Sequence, residues 1–158
     1  MSNTKLNENS MDRLLEDQLC FEVYKASNGF SKLYRRALKS FELTFPQYLV
    51  LLALWESDRV YVKEISSRLG MTIGTINPIL NRMVSQGWVE KAPSSKDKRA
   101  IVVSLTKKAY QEKTGISQGI LKEISTCNLT DIDGELFLKN AKKLNKEFER
   151  LEKEDKEA

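Results

Sequence analysis

Residues 60–87 read VYVKEISSRLGMTIGTINPILNRMVSQG and contain the signals of two helices joined by a sharp turn. A short extended stretch precedes a helix predicted from residue 63 to 69. Gly70 suits the abrupt end of that helix, because glycine adopts left-handed backbone conformations without steric cost. Thr72 is suited to cap a second helix that runs to about Gln86. The stretch therefore predicts a helix, a tight glycine turn and a second helix in close succession.

The second helix of this pair has two chemically different faces. Ile76, Leu80 and Met83 are spaced by four and three residues, which predicts one buried apolar face. Pro78 is tolerated inside the helix because Gly74, four residues earlier, has no Cβ to crowd the proline ring. We expect the opposite face to be exposed. Its small and polar residues, with the glycine and the proline beside them, are Thr72, Gly74, Thr75, Asn77, Pro78, Asn81 and Arg82.

The residues that follow predict a β-hairpin with a basic tip. In WVEKAPSSKDKRAIVVSL, residues 88–105, two strand-like runs cover 88–92 and 100–105, and a polar loop separates them. Apolar residues alternate along the second run, so we expect one of its faces to be buried. The charged residues of the tip are Lys96, Asp97, Lys98 and Arg99.

Long helical patterns lie on both sides of this central region. The first covers residues 12–41, and so long a helix with a wide apolar face usually needs a partner outside its own small domain. Another follows Thr106 to about residue 126, and a last helix is predicted to start at Thr130 and Asp133, a T-x-x-D pattern. The apolar stripe of the first helix consists of Leu19, Val23, Ala26, Phe30, Leu33 and Ala37.

A central helix is predicted by LTFPQYLVLLALWE, residues 43–56. Thr44 and Gln47 form a T-x-x-Q capping box, and Pro46 lies in the first turn, where its missing N–H costs nothing. The residues after this start are apolar nearly all round, so we expect this helix to lie in the core.

The composition bounds the class of protein. The chain has 158 residues, of which 41% are hydrophobic and 30% charged, as expected for a single globular domain. No apolar run is long enough to cross a bilayer and the N-terminus lacks the apolar region of a secretory signal, so we predict a cytoplasmic protein with no membrane association. Histidine is absent, which removes the usual metal ligand and general base. We therefore predict no enzyme, no metal site and no cofactor.

Basic charge is concentrated in the middle of the chain. Residues 59–108 contain ten Lys and Arg residues against three acidic ones, whereas the net charge of the whole chain is +4. The middle thus carries +7 and the remainder −3. Such a distribution is typical of a nucleic-acid-binding surface, although a solvated basic face gives the same pattern.

The order of elements predicts a mainly α (α+β) fold with a winged helix-turn-helix. Small polar residues near the start of a second helix are the types that approach base edges in the major groove of double-stranded DNA, and Arg82 is suited to a guanine or a phosphate. A tip with Lys96, Lys98 and Arg99 suits phosphates and the minor groove. Asp97 beside Arg99 is expected to orient the guanidinium. A plain helical domain is the alternative.

The whole arrangement resembles the MarR family of dimeric transcription regulators, whose wing carries a D-x-R pattern that is matched here by Asp97 and Arg99. The segments QLCFEVY, LTFPQYLVLLALWE and TIGTINPILNRM are similar to the thiol-based branch that senses organic hydroperoxides and related oxidants (OhrR-like regulators). The resemblance implies a homodimeric repressor on a pseudo-palindromic operator, released by oxidation of Cys20. It also implies one domain over residues 1–158, with dimerisation helices at 12–43 and 107–153 and a DNA-binding lobe at 44–106.

Cys20, Tyr24 and Tyr34 share one side of the first predicted helix. Along the axis of a straight helix Tyr24 is about 6 Å from Cys20, whereas Tyr34 is about 21 Å away and cannot touch it within one chain. The resemblance implies that Tyr34 supports the cysteine of a second chain across a dimer interface. Phenolic hydroxyls that donate to sulfur favour the thiolate, which attacks peroxides and becomes a sulfenic acid that a second thiol can trap.

Two residues complicate this hypothesis. The branch has a tyrosine where Phe45 stands here, so one donor to the sulfur is missing. Cys127 lies near the junction of the last two predicted helices, where part of the branch carries a resolving cysteine. A resolving and an inert role for Cys127 both remain open, and Cys20 itself has a buried, inert cysteine as its alternative.

Three other functions remain open on sequence alone. The same regulator is compatible with control by a phenolic or lipid ligand, with Cys20 only structural. A thiol peroxidase would need groups for turnover around Cys20 that the sequence does not show. A protein-binding helical adaptor would not need the concentrated basic charge.

Overall fold

The computed structural model describes residues 14–157. The chain divides after Ile124 into two compact units. In the described part the fold is mainly helical with a small three-stranded sheet, as predicted. The elements in chain order are α1 (Leu19–Leu38), α2 (Phe45–Glu56), β1 (Val60–Tyr61), α3 (Val62–Arg68), α4 (Ile73–Ser85), β2 (Val89–Pro93), β3 (Ile101–Leu105), α5 (Lys107–Ser125) and α6 (Gly134–Glu157).

The first helix is shorter than the pattern predicts. A 3₁₀ turn at Leu15–Asp17 precedes α1, and Gln18 has extended backbone angles that separate the two. A second 3₁₀ turn, Lys39–Phe41, follows α1 and ends at Glu42, whose φ of 54° is left-handed. Residues 12 and 13 of the predicted helix lie outside the described residues. Apolar periodicity continues across Gln18, so it carries no sign of this break.

The capping box predicted at the start of α2 is confirmed. The Thr44 hydroxyl accepts from the backbone N–H of Gln47 at 3.4 Å, and the Gln47 side chain accepts from the backbone N–H of Thr44 at 2.9 Å. Behind this cap α2 is central, with Val50, Leu51 and Leu54 fully buried. The predicted position of this helix in the core is thus confirmed.

The helix-turn-helix forms as the sequence predicts. Gly70 has a φ of +62° and ends the turn after α3, where a side chain would be strained. The Thr72 hydroxyl caps α4 by accepting from the Thr75 N–H at 3.2 Å. Ile76, Leu80 and Met83 are fully buried against α2 and the sheet.

The wing is the hairpin of β2 and β3, and the short β1 adds a third strand. The sheet order is β1-β3-β2, all antiparallel, with Val60 opposite Val103 and Pro93 opposite Ile101. Val103 is fully buried, which confirms the alternation predicted for the second strand. Thr106 accepts from the Ala109 N–H at 3.3 Å and so caps α5.

The unit after Ile124 contains α6, whose start differs from the prediction. Asp133 is the capping residue, because its carboxylate accepts from the Leu136 N–H at 2.9 Å. The Thr130 hydroxyl instead donates to the Asn128 side chain in the preceding turn. The T-x-x-D assignment was wrong because Asp133 caps the helix itself rather than closing a box begun by Thr130. Within residues 14–157, none of the helices has the length and apolar character of a membrane span.

Candidate nucleic-acid interface and cysteine site

The outer face of α4 is exposed, as the sequence predicts. Asn77 is half-buried beside the apolar face, and the other residues predicted to bind DNA stand in solvent. The hydroxyl of Thr72 is hydrogen-bonded to that of Thr75 at 2.9 Å, which holds both side chains at the start of the helix. The exposed residues of the predicted set on α4 and its cap are Thr72, Gly74, Thr75, Pro78, Asn81 and Arg82.

A basic residue from the neighbouring strand extends this face. Lys91 on β2 donates through Nζ to the Asn81 side-chain oxygen at 3.0 Å. Because an ammonium group only donates, this contact leaves the Asn81 amide nitrogen pointing away and free to act as a donor. Lys91 was not predicted at this site from the sequence. Lys91 and Asn81 are ten residues apart, and they meet only because β2 packs beside α4.

The wing loop is organised around a buried serine. Ser94 is 6% exposed, and its hydroxyl oxygen accepts from the backbone N–H of Lys96 at 3.2 Å and of Asp97 at 3.4 Å. The same oxygen lies 3.2 Å from the Tyr61 hydroxyl on β1. The loop is thereby attached to the sheet, and its charged residues, all exposed, are Lys96, Asp97, Lys98 and Arg99.

Asp97 has a different role from the one expected. Its carboxylate accepts from the backbone N–H of Arg99 at 2.9 Å and so shapes the turn. It was predicted to hold the Arg99 guanidinium, but the ion pairs among the described residues do not include these two side chains. An aspartate side chain readily accepts a hydrogen bond from the backbone N–H two residues later. For Asp97 this local bond is favoured over an ion pair with the long, solvated side chain of Arg99.

Cys20 is exposed and is the second residue of α1. The sequence pattern placed it well inside a helix, so this position corrects the expectation. The first backbone N–H groups of a helix have no partner within the helix and favour negative charge close by. Cys20 belongs to this first turn. Tyr24, one turn later, is exposed too.

Tyr34 lies near the other end of α1, in a cluster of aromatic rings. Its ring centroid is 4.5 Å from that of Phe45 and 5.7 Å from that of Tyr48. Burial, and next the neighbouring Tyr34, raises the pKa of Tyr48 above its ordinary value. Since α1 is a continuous helix between Cys20 and Tyr34, the predicted separation of about 21 Å within one chain stands.

The second cysteine lies in the connection between α5 and α6 and is exposed. Cys20 and Cys127 belong to different compact units, and each is a free thiol. The pairing of the two cysteines stays a prediction.

Two of the long helices expose apolar side chains. Leu19, Val23 and Phe30 of the stripe predicted on α1 are about half exposed, whereas Leu33 and Ala37 farther along are buried. On α6 every large apolar residue is substantially exposed, and these residues are Leu136, Phe137, Leu138, Leu144, Phe148 and Leu151. Apolar surface of this extent marks an interaction site.

Sequence comparison relates the chain to transcriptional regulators. The model of the MarR family matches residues 43–101. The HTH-type transcriptional regulator TtmR of Methylorubrum extorquens is 48% identical over 94 residues, which cover 60% of this chain and 48% of that protein. The organic hydroperoxide resistance transcriptional regulator of Bacillus subtilis is 41% identical over 100 residues, which cover 63% of this chain and 68% of that protein.

Structural comparison agrees over a larger part of the chain. Reduced AbfR bound to DNA gives a TM-score of 0.76 at 31% identity, covering 91% of this chain and 97% of that one. Disulfide-formed AbfR gives 0.64 at 30% identity, covering 89% and 96%. AbfR comes from Staphylococcus epidermidis. Sequence, fold and the exposed face of α4 lead to the same conclusion: the chain belongs to the MarR family of DNA-binding transcriptional regulators.

Proposed function

We propose that the protein is a homodimeric repressor that binds a pseudo-palindromic operator in its reduced form and releases it when Cys20 is oxidised. The observation that carries this proposal is the placement of α1. Its first turn holds an exposed cysteine, and its last turns are buried in the DNA-binding lobe through Leu33, Ala37 and Leu38. A single rigid element thus joins the reactive sulfur to the part of the molecule that contacts DNA.

In the DNA complex α4 lies in the major groove and the wing follows the backbone. The exposed threonines and Asn81 offer hydrogen bonds to base edges, and Arg82 contacts a guanine or a phosphate. Lys96, Lys98 and Arg99 bind phosphates or a narrow minor groove, and Ser94 keeps the loop that carries them in place. AbfR, a structural relative solved on DNA, supports this assignment.

The dimer forms through the helices outside the lobe. A second copy covers the apolar residues that α1 and α6 expose within one chain, and this exposure supports dimerisation segments at residues 12–43 and 107–153 around a lobe at 44–106. In such a dimer the first helix of one protomer runs across that of its partner. Tyr34 then supports the Cys20 of the other protomer, and Tyr24 supports the sulfur from within the same helix.

The redox step is a two-electron oxidation of sulfur. The Cys20 thiolate attacks the O–O bond of an organic hydroperoxide, the sulfur takes up one oxygen as a sulfenic acid, and the other oxygen leaves with a proton as an alcohol. A thiol then displaces hydroxide from the sulfenic acid, giving a disulfide and water. That thiol is Cys127 or a small cellular thiol.

Two relatives support this chemistry. The Bacillus subtilis relative is an organic hydroperoxide resistance regulator, and AbfR has been solved in a reduced, DNA-bound form and in a disulfide form. Phe45 stands where the branch has a tyrosine, and here its ring packs against Tyr34 at 4.5 Å. Phe45 lacks the hydroxyl with which the tyrosine of the branch would donate to the sulfur. We therefore expect it to position Tyr34 through ring packing instead.

The test measures binding of reduced protein to DNA from its own upstream region by fluorescence anisotropy, before and after one equivalent of cumene hydroperoxide. We expect the wild type to release the DNA, Cys20→Ser to stay bound, and dithiothreitol to restore binding of the oxidised wild type. Cys127→Ser serves as the matched control: if Cys127 resolves the sulfenic acid, this variant needs an added thiol to form the disulfide.

A ligand-controlled regulator is the second candidate, and the same experiment separates the two. A Cys20→Ser protein that responds to a phenolic or fatty-acid ligand as the wild type does would assign control to the ligand. If wild type and variant both remain on the DNA after oxidation, Cys20 does not control DNA binding and the redox proposal is wrong.

A further inference from the structure

A hydrogen-bonded pair of glutamine side chains, of which Gln47 is buried and Gln86 half-buried, joins α4 to the start of α2. Gln47 is only 1% exposed, and its Nε2 donates to the side-chain oxygen of Gln86 at 3.0 Å. Gln86 is the C-terminal capping residue of α4. Gln47 was expected to cap α2, and it does, but its second contact to a residue 39 positions away is not part of capping.

The hydrogen bonds of this pair continue on both sides in one direction. The Thr44 N–H donates to Gln47 Oε1 at 2.9 Å, and Gln86 Nε2 donates to the backbone carbonyl of Glu42 at 3.0 Å. A backbone N–H begins the series and a backbone carbonyl ends it, so neither amide can flip without losing a bond. The orientation of both side chains is therefore fixed by chemistry.

The backbone is itself constrained at Glu42, where the series ends, and at Gln86. Glu42 is in the left-handed region, with a φ of 54°, and its carbonyl lies in the short junction between α1 and α2. The backbone carbonyl of Gln86 accepts from Lys108 Nζ at 2.9 Å, and that ammonium lies 4.2 Å from the centre of the Trp88 ring. The last turn of α4 is thus attached to the α1–α2 junction and to the start of α5.

We propose that Gln47 and Gln86 are positioning residues that fix the C-terminal end of α4 to the α1–α2 junction, and thereby set the orientation in which α4 meets base edges. The apolar face of α4 determines its depth in the lobe, and the directional hydrogen bonds at its C-terminal end add resistance to rotation about that packed face. The inference rests on the DNA-binding function of the family and not on the oxidation of Cys20.

A single substitution can remove one of the two side-chain hydrogen bonds of Gln86 and keep the other. Gln86→Glu keeps an oxygen that accepts from Gln47, so the buried amide stays satisfied, but it places an oxygen against the Glu42 carbonyl instead of a donor. We expect the ratio of operator affinity to non-specific duplex affinity to fall about tenfold, because misplacing a base contact costs about as much as a mismatched base pair. The added negative charge weakens binding to the operator and to non-specific duplex alike, so its effect cancels in the ratio of the two affinities.

The double variant Gln47→Met with Gln86→Met removes the pair without leaving a buried amide unpaired. It is expected to fold with a melting temperature lowered by a few degrees, because the Thr44 N–H loses its partner in the α2 capping box, and to show the same loss of specificity ratio. Gln118→Met, an exposed glutamine on α5, is the matched control and should leave the ratio unchanged. The salt dependence of binding should stay the same in the methionine variants, since these remove neither a charge nor a phosphate contact.

Either of two results overturns the inference: a specificity ratio within twofold of the wild type in Gln86→Glu, or full recovery of that ratio in the double variant. The second would mean that the pair only satisfies buried polar groups. All readouts are taken on reduced protein, so a wild type that fails to respond to hydroperoxide contradicts the redox proposal and leaves these measurements valid.

Discussion

The lobe and the first half of α1 contain the same sequence pattern with opposite structural outcomes. In α4, apolar residues spaced by four and three are fully buried. In α1, Leu19, Val23 and Phe30 continue a stripe of the same spacing and are 59%, 48% and 50% exposed. Periodicity therefore predicts which face of a helix is apolar, and it does not predict whether the same chain covers that face.

The difference separates a self-sufficient part of the molecule from one that depends on a partner. The lobe buries Trp88, Leu51 and Leu80 within one chain and holds its reading surface by internal hydrogen bonds. The apolar residues named above on α1 and α6 are not covered in this way by other residues of the described chain. Substitutions in the two regions should therefore change different measured quantities.

The largest effect is expected in the lobe. Leu80→Ala removes a fully buried side chain on the inner face of α4, and the lost burial plus the remaining cavity should lower the free energy of unfolding by about 2–5 kcal/mol. Urea denaturation followed by circular dichroism measures the loss. Ile73→Ala, at an exposed position of the same helix, is the control, and a loss below 1 kcal/mol for Leu80→Ala would contradict the assignment of the core.

An intermediate effect is expected on α1. Phe30→Asp places a charge in the exposed apolar stripe, so we expect the dimer dissociation constant to rise at least tenfold, equivalent to about 1.4 kcal/mol or more. Sedimentation velocity over a concentration series measures this constant. Asn28→Asp adds the same charge elsewhere on α1 and should leave the dimer intact. Equal dissociation of both variants would mean that charge on α1, and not its apolar stripe, controls association.

A smaller effect is expected on the reading surface. Arg99→Ala should weaken DNA binding by about 1–2 kcal/mol and reduce its salt dependence by about one phosphate contact, without changing the unfolding transition. Lys139→Ala, an exposed residue on α6, controls for the loss of one positive charge. If the two variants bind DNA equally well, the wing does not contact the duplex through Arg99.

The smallest effect tests the packing between the lobe side of α1 and α5. A Cβ on Gly115 would lie 3.6 Å from the Phe41 ring, an ordinary contact, so Gly115→Ala should raise the free energy of unfolding by about 0.5–1 kcal/mol through helix propensity. A Cβ on Gly119 would lie 3.4 Å from the Ala37 carbonyl oxygen, so Gly119→Ala should gain less. Thermal unfolding measures the stability of both variants. If Gly119→Ala is the more stable one, the Phe41 ring cannot move to accept a Cβ on residue 115.

Local chemistry made most of the lobe predictable. Gly70, Thr72 and Thr44 each specify a turn or cap through contacts within a few residues, so their roles could be read from the sequence. The start of α1 could not, because the extended backbone at Gln18 interrupts no apolar pattern. The roles of Ser94, Lys91 and the Gln47–Gln86 pair depend on residues far apart in the chain, and polar residue types alone do not indicate their partners.

If the exposed apolar residues on α1 and α6 form the proposed dimer contact, the amount of protein in a cell becomes a regulatory variable. For a regulator that binds its operator as a homodimer, the dimer concentration falls with the square of total protein once that total is below the dissociation constant. A promoter controlled in this way responds to a twofold drop in copy number with an approximately fourfold loss of dimer, even without an oxidant. Under the proposed redox control, dilution at cell division and degradation of the chain act on the same genes as oxidation.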